Sequence, residues 1–154
     1  MKAIFAVDAI GGFGADGTMP WPHCSADLKR FKALTSGATV VMGSGTWNSK
    51  MPTPLPNRRN IVLSKTMADT EGCEVYSGIT QLLMNIKQDE DVWVIGGAET
   101  LWKLRPQITT VYMTKFKLIT RSTVNLAYET FLDEFTLTKT EDFGDHTLDI
   151  YERK

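Results

Sequence analysis

The 154 residues contain only two cysteines and two histidines. Cys24 and Cys73 match no metal-binding spacing, and His23 and His146 lie far apart in sequence, so no metal site can be assembled and free thiols are expected. Neither histidine belongs to a motif, and both are read as surface residues. No apolar run approaches membrane-spanning length. The start, Ala3-Ile4-Phe5-Ala6-Val7, is too short and lacks the basic flank and cleavage site of a secretory signal, so a cytoplasmic protein is expected. Neither sign of charge is in excess: 17 Lys and Arg face 18 Asp and Glu, leaving no global field to hold nucleic acid or an anionic membrane. Any anionic ligand must be held by local groups. Repeats, low-complexity tracts and linkers are missing too, and 154 residues suit one compact domain over 1–154. The chain is expected to work as a monomer.

What is present alternates strands with helices. Lys2 to Asp8 reads as a buried strand ended by the glycines at 11, 12 and 14. The 11–24 loop is expected to act as a lid, because exposing Met19 and Trp21 together is unfavourable unless they cover something. Residues 26–34 form a short amphipathic helix on which Asp27 shares a face with Leu28, Phe31, Leu34 and Thr35. An acid there is a candidate proton handler or an anchor for an amidine-like ligand, although a carboxylate in a first helical turn also has the plain role of favouring the helix dipole. Ala38 to Met42 is a second strand, and Gly43-Ser44-Gly45 leads into a turn at Thr46-Trp47 that Thr46 is expected to cap. Unpaired amides at such a helix start favour an anion, though most Gly-x-Gly turns bind nothing.

Pro52, Pro54 and Pro56 stiffen a connector that delivers Arg58 and Arg59 to the strand Asn60 to Leu63. A rigidly held arginine can clamp a carboxylate in two-pronged fashion; a solvated pair of arginines is the bland alternative. Cys73 to Tyr76 reads as a strand, and Ile79 to Gln88 as a helix burying Ile79, Leu82, Leu83 and Ile86. Asp91 to Ile95 is an apolar strand broken by Gly96-Gly97 before a helix over Ala98 to Leu104, a second strand-glycine-helix unit. Two such units imply an extended, phosphate-bearing cofactor, yet Gly-x-Gly-x-x-Gly follows neither strand, which disfavours a standard Rossmann domain. The remainder is β-rich: Thr110 to Phe116, Phe135 to Thr140 and His146 to Glu152, with a hairpin turn at Gly144-Asp145. The architecture expected is a single-domain, three-layer α/β sandwich with a mostly parallel eight-stranded sheet and an antiparallel C-terminal hairpin.

Met19-Pro20-Trp21, Ala26-Asp27-Leu28 with Phe31-Lys32, Val41-Met42-Gly43 with Thr46-Trp47, Leu55-Pro56 with Arg58 and Asn60-Ile61-Val62-Leu63-Ser64, and Val94-Ile95-Gly96-Gly97 follow one another in order. Block by block, and down to the tail Tyr151-Glu152-Arg153, the chain resembles dihydrofolate reductase. The resemblance implies the same fold and the NADPH-dependent reduction of 7,8-dihydrofolate to tetrahydrofolate, with antifolates such as trimethoprim and methotrexate as further ligands. It implies that Asp27, with Thr114, binds the amidine-like edge of the pterin and promotes protonation of the imine nitrogen through water admitted near Met19 and Trp21. Ile4, Ala6, Leu28, Phe31, Lys32, Met51, Leu55 and Ile95 would complete the substrate site, and Arg58 would hold the glutamate carboxylate. Ala6, Phe13, Gly14, Thr18, Gly43, Ser44, Gly45, Thr46, Leu63, Ser64, Lys65, Ile95, Gly96, Gly97, Ala98, Glu99 and Leu101 would seat the cofactor. The resemblance also implies a cis peptide between Gly96 and Gly97.

Three departures stand out. The loop through Pro22-His23-Cys24 is one residue longer than the commonest bacterial version, and Leu101 replaces a tyrosine found near the nicotinamide in many bacterial members. Ser44 and Glu99 occupy positions that are commonly arginine in members strongly preferring NADPH. Two other readings stay open: a pyrimidine reductase of riboflavin synthesis on the same scaffold, which would not need Asp27 and Arg58 together, and a non-enzymatic nucleotide-binding or structural protein that keeps the fold.

Overall fold

The chain's apolar runs become strands of one sheet. The computed structural model describes residues 1–14, 25–49, 51–120, 122 and 124–154. In chain order the elements are β1 (Lys2–Val7), β2 (Gly12–Gly14), α1 (Ser25–Thr35), β3 (Thr39–Gly43), α2 (Ser44–Trp47), β4 (Arg59–Leu63), β5 (Glu74–Tyr76), α3 (Ile79–Met84), β6 (Val92–Gly96), α4 (Ala98–Leu104), β7 (Thr110–Phe116), β8 (Val124–Asn125), α5 (Tyr128–Phe131), β9 (Phe135–Asp142) and β10 (His146–Arg153). Eight strands form the main sheet in the order β5-β4-β3-β6-β1-β7-β10-β9. All neighbours pair in parallel up to β7, and β10 then runs antiparallel to both β7 and β9, as the sequence predicts.

Both faces of the sheet are covered because its central strands are apolar at successive positions. On one face Phe31 and Leu34 of α1 pack against Ile4, Val40, Met42, Trp47, Leu55, Val62 and Trp93. Leu82 of α3, Leu101 and Leu104 of α4 and Phe131 of α5 pack on the other, against Ala3, Phe5, Val41, Ile61, Val94, Val111 and Met113. The chain leaves β1 through α1 on the first face and leaves the adjacent β6 through α4 on the second. The carboxyl ends of β1 and β6 are therefore the switch point of the sheet, the crevice where open α/β sheets bind ligands.

Several local expectations are corrected. Gly12–Gly14 is a strand, not free loop, paired with Val124–Asn125 in a small second sheet. A side chain at Gly12 would overlap Ser122 Oγ and the Asp8 carboxylate, so this glycine serves close packing and not mobility. The remainder of the expected lid, with Met19, Trp21, His23 and Cys24, lies outside the described residues. Helix α3 stops at Met84, four residues short of expectation, and buries Leu82 while Leu83 faces solvent. Gly43, not Thr46, sits at the N-cap of α2, with no side-chain cap. His146 is no surface residue: it is 2% exposed, stacks on Phe143 with ring centroids 5.0 Å apart, and lies 2.6 Å from Asp145 Oδ1 through Nδ1. Among the described residues no helix is long and apolar enough to cross a membrane.

Asp8, wholly buried, ties the end of β1 to the chain before β8. Its Oδ1 accepts the Gly12 and Ile10 amides at 2.7 and 3.0 Å, and its Oδ2 accepts the Thr120 hydroxyl and amide at 2.7 and 3.0 Å. Burial works against the charge, but the Thr120 hydroxyl and the Gly12, Ile10 and Thr120 amides outweigh it and hold the carboxyl below its usual value. A carboxyl depressed on folding contributes stability that is fully present above the unfolded value, about 3.9, and is lost as pH falls through the folded value. Asp8→Asn is expected to cost about 2 kcal/mol at neutral pH, since it keeps one acceptor oxygen and leaves the other pair of donors unsatisfied. Urea unfolding at neutral and acid pH checks this. The gap between wild type and variant should close below about pH 4, and a gap independent of pH would show that the Asp8 charge is not the stabilising group.

Candidate active site

Asp27 enters the site from the first turn of α1, and its carboxylate turns toward the sheet. Its Oδ1 accepts the Thr114 hydroxyl at 2.6 Å. Thr114 lies on β7 opposite Ala6 of β1, so the bond pins the helix over the centre of the sheet, at the crevice. The side chain is 18% exposed, half-sheltered and open to a ligand. It is not alone, as its apolar helix face suggested: Arg30 Nη1 lies 3.4 Å from Asp27 Oδ1 and 3.5 Å from Thr114 Oγ1.

The side chains expected to surround Asp27 divide by position. Ile4 and Ala6 are buried on β1, and Phe31, Met51 and Ile95 are half-buried around the same face. Leu28 is 41% exposed and stands at the rim, beside exposed Lys32. Leu55 is buried, and the buried Asn60 side chain holds its backbone from both sides: the Leu55 amide donates to Asn60 Oδ1 at 2.9 Å, and Asn60 Nδ2 donates to the Leu55 carbonyl at 3.0 Å. Asn60, more than the prolines, shapes the connector. Sequence reading passed over it, although a polar residue inside an apolar strand is the available signal.

Arg58 reaches back from that connector to α1. Its Nε donates to the Pro56 carbonyl at 2.9 Å, its Nη1 donates to Thr35 Oγ1 at 3.0 Å, and its guanidinium lies 5.9 Å from the Phe31 ring centroid. Thr35 in turn donates to the Phe31 carbonyl at 2.7 Å, so a helix residue that sequence reading counted only as part of the apolar face orients the arginine. Nη2 carries no hydrogen bond among the described residues, which leaves a donor end available to an anion. Burial lowers the Arg58 guanidinium from its ordinary value, but arginine stays charged. Arg59 does different work: it bonds Glu74 at 2.6 and 2.7 Å and Glu90 at 2.9 and 3.1 Å, stitching β4 to β5 and to the chain before β6.

The second half of the crevice is built from the two glycine turns, which the parallel pairing of β3 and β6 brings side by side. Gly43 is closely packed: a Cβ there would lie 2.5 Å from Thr100 Oγ1 and 3.9 Å from the Gly97 nitrogen. Gly96, at φ 131°, and Gly97 are joined by a cis peptide, and Cβ atoms placed on either would lie 3.7 Å from Thr46 Oγ1. Phe13 closes the same cluster, its ring 3.5 Å from where a Cβ on Gly96 would lie. Helices α2 and α4 begin at Gly43 and Gly97 without side-chain caps, so their first-turn amides have no side-chain partner. Next to Gly43 in register stands Leu63, followed by Ser64 and the exposed Lys65. Ser64 Oγ accepts the Thr66 and Met67 amides at 3.3 and 3.1 Å.

This arrangement fits a phosphate-bearing cofactor. Uncapped amides from two helix starts converge where glycine allows close approach, and open space surrounds the Gly45 position. Ser44 and Ala98 sit in the first turns of these helices, and the exposed Glu99 bends back to Lys103 at 2.9 Å. Leu101 is 0% exposed within the main core, behind the cluster. Gly14 is in β2, while Thr18 lies outside the described residues.

Comparison with known proteins completes the picture. A family model described as dihydrofolate reductase matches residues 1–152. A dihydrofolate reductase of Mycobacterium leprae is 43% identical over 111 residues, a match spanning 70% of this chain and 66% of that protein's own length. The type 8 dihydrofolate reductase of Escherichia coli is 31% identical over 163 residues, spanning 100% of this chain and 96% of the relative. Among solved structures, a dihydrofolate reductase from Enterococcus faecalis complexed with NADP(H) and RAB-propyl superposes with a TM-score of 0.87 at 30% identity, covering 99% of this chain and 95% of that one. With a carboxylate at the crevice, two glycine turns beside it and a family match along nearly its whole length, this chain belongs to the dihydrofolate reductase family.

Proposed function

We propose that this chain is an enzyme that reduces 7,8-dihydrofolate to 5,6,7,8-tetrahydrofolate with NADPH, acting as a single-domain cytoplasmic monomer that also binds diaminopyrimidine antifolates. The observation that carries the reading is the Asp27 carboxylate, bonded to Thr114 at 2.6 Å, at the mouth of a crevice whose other half is the pair of glycine turns. When bound, NADPH supplies the hydride for the carbon of the pterin C=N bond. The chain's own groups do the rest. Asp27 accepts the paired N–H donors of the pterin's amidine-like edge, Thr114 fixes the carboxylate's orientation, and the negative charge raises the proton affinity of the imine nitrogen. Met19 and Trp21 are assigned to the water path by the family resemblance alone. Arg58 holds the glutamate carboxylate, and Ile4, Phe31, Met51 and Leu55 exclude water from the ring.

Following NADPH absorbance with and without dihydrofolate tests this reading. Oxidation that depends on dihydrofolate is expected. A folded protein that binds NADPH without turning over would favour the non-enzymatic alternative, and turnover of an aminopyrimidine substrate in place of dihydrofolate would favour the riboflavin-pathway reductases.

The adenosine end of the cofactor has a weaker hold than two arginines would provide. Ser44 is neutral, Glu99 is engaged with Lys103, and Ser64 already accepts two amides, which leaves exposed Lys65 as a mobile point charge for the 2′-phosphate. NADPH is expected to be preferred over NADH by a smaller margin than in relatives with both arginines, and in a salt-sensitive way. Ser44→Arg should raise NADPH affinity by about 1–2 kcal/mol and leave NADH almost unchanged, while Lys65→Ala erodes the preference. Dissociation constants for both cofactors decide it: a large preference indifferent to Lys65 would place the phosphate on other groups.

A further inference from the structure

Arg30 occupies a position that the reaction described above does not require. It lies one turn along α1 from Asp27, and its Nη1 is within 3.4 Å of Asp27 Oδ1 and 3.5 Å of Thr114 Oγ1. Its side chain is 16% exposed against 18% for Asp27, so this is not one of the solvated surface pairs that contribute little. The guanidinium is also held from behind, with Cζ 4.7 Å from the ring centroid of Phe143 in the turn between β9 and β10. Phe143 is in turn fixed by stacking on the buried His146, which itself packs against Phe116. Glu141 of β9 also feels the Arg30 charge, but it is already ion-paired with Lys139 at 2.8 Å. Among the described residues, Asp27 is thus the carboxylate to which this arginine is directed.

We propose that Arg30 is a specificity-determining residue that sets the preference between neutral and positively charged ligands at Asp27. The inference rests on the reading of Asp27 as the anchor for the pterin edge. Oδ1 already receives the Thr114 hydroxyl and faces Arg30, so a ligand pairing with both carboxylate oxygens must share Oδ1 with the guanidinium. A neutral pterin edge does so at little cost, because the ion pair survives beside it. A protonated diaminopyrimidine brings a second cation to the same carboxylate, and the two positive charges repel in a partly desolvated site. Arg30 therefore discriminates against cationic ligands while leaving the neutral substrate bound.

The test measures equilibrium dissociation constants of dihydrofolate and of trimethoprim, under mildly acidic conditions that protonate the latter, for wild type, Arg30→Met and Arg30→Lys. Methionine keeps the packing on Phe143 and removes the charge, and lysine keeps the charge. Arg30→Met should tighten trimethoprim about tenfold relative to dihydrofolate, which corresponds to about 1.4 kcal/mol. Arg30→Lys should hold the ratio near the wild-type value. An unchanged ratio in Arg30→Met, or a parallel loss of both ligands, would assign Arg30 to the fold and overturn the proposal. So would Arg30→Lys behaving like Arg30→Met. If wild type bound neither ligand, the functional reading itself would fall; if it bound both and only the ratio failed to move, that reading would stand and this inference alone would fail.

Discussion

Asp27→Asn is expected to lower turnover at neutral pH by about a hundredfold or more, with partial recovery in acid, where the substrate is already protonated. The substitution preserves shape, and the amide oxygen of asparagine can still accept the Thr114 hydroxyl that reaches Asp27 at 2.6 Å. Its effect is therefore electrostatic: the charge that favours a proton on the imine nitrogen is gone, and Arg30, now without its carboxylate, adds a positive field of the wrong sign. A loss confined to neutral and alkaline pH identifies Asp27 as the group that promotes protonation. Single-turnover rates across the pH range read this directly, and a variant with wild-type rates at neutral pH would remove Asp27 from the chemistry.

Arg58→Leu should weaken dihydrofolate binding by about 2–4 kcal/mol, because the glutamate carboxylate loses a charge-assisted, two-pronged partner in a sheltered position. Trimethoprim, which has no carboxylate, should bind nearly as before. The geometry argues that the fold will tolerate the change. Thr35 keeps its bond to the Phe31 carbonyl, and the Pro56 carbonyl that Arg58 Nε reaches is at an exposed position open to water. The connector remains held by Asn60, which bonds the Leu55 backbone from both sides. Titrating both ligands against wild type and variant separates the possibilities: an equal loss for the two would make Arg58 a structural residue.

Much of this could be read along the chain. The apolar runs at 2–8, 60–63, 91–95 and 110–116 became strands β1, β4, β6 and β7 within a residue or two, because burial on both faces demands continuous apolar stretches. The short helix with Asp27 on its inner face, the turns at Gly43 and Gly96, and the C-terminal hairpin were legible for the same reason: helical spacing, glycine and turn chemistry are local properties. Ile79 to Met84 shows the limit. Its apolar residues run on to Ile86, yet the helix ends sooner and Leu83 faces solvent, since the face that is buried depends on what packs against it.

The amino-acid sequence by itself determined the layered architecture, the strand and helix alternation and the presence of an acid, an arginine and two glycine turns, because each rests on neighbours within a few positions. Only the tertiary structure decided which of these groups meet. The pairing of β2 with β8 rests on a two-residue strand too short to leave a pattern, and it makes Gly12, expected only to end the first strand and open a loop, a packing site around Asp8. His146 looked like a surface residue beside a polar turn, and Phe116 and Phe143 buried it. Nothing in the spacing of α1 singles out Arg30, and the β9–β10 turn places Phe143 behind it and holds it toward Asp27. Contacts between residues tens of positions apart are set by how whole elements dock, and no spacing within a single segment encodes them.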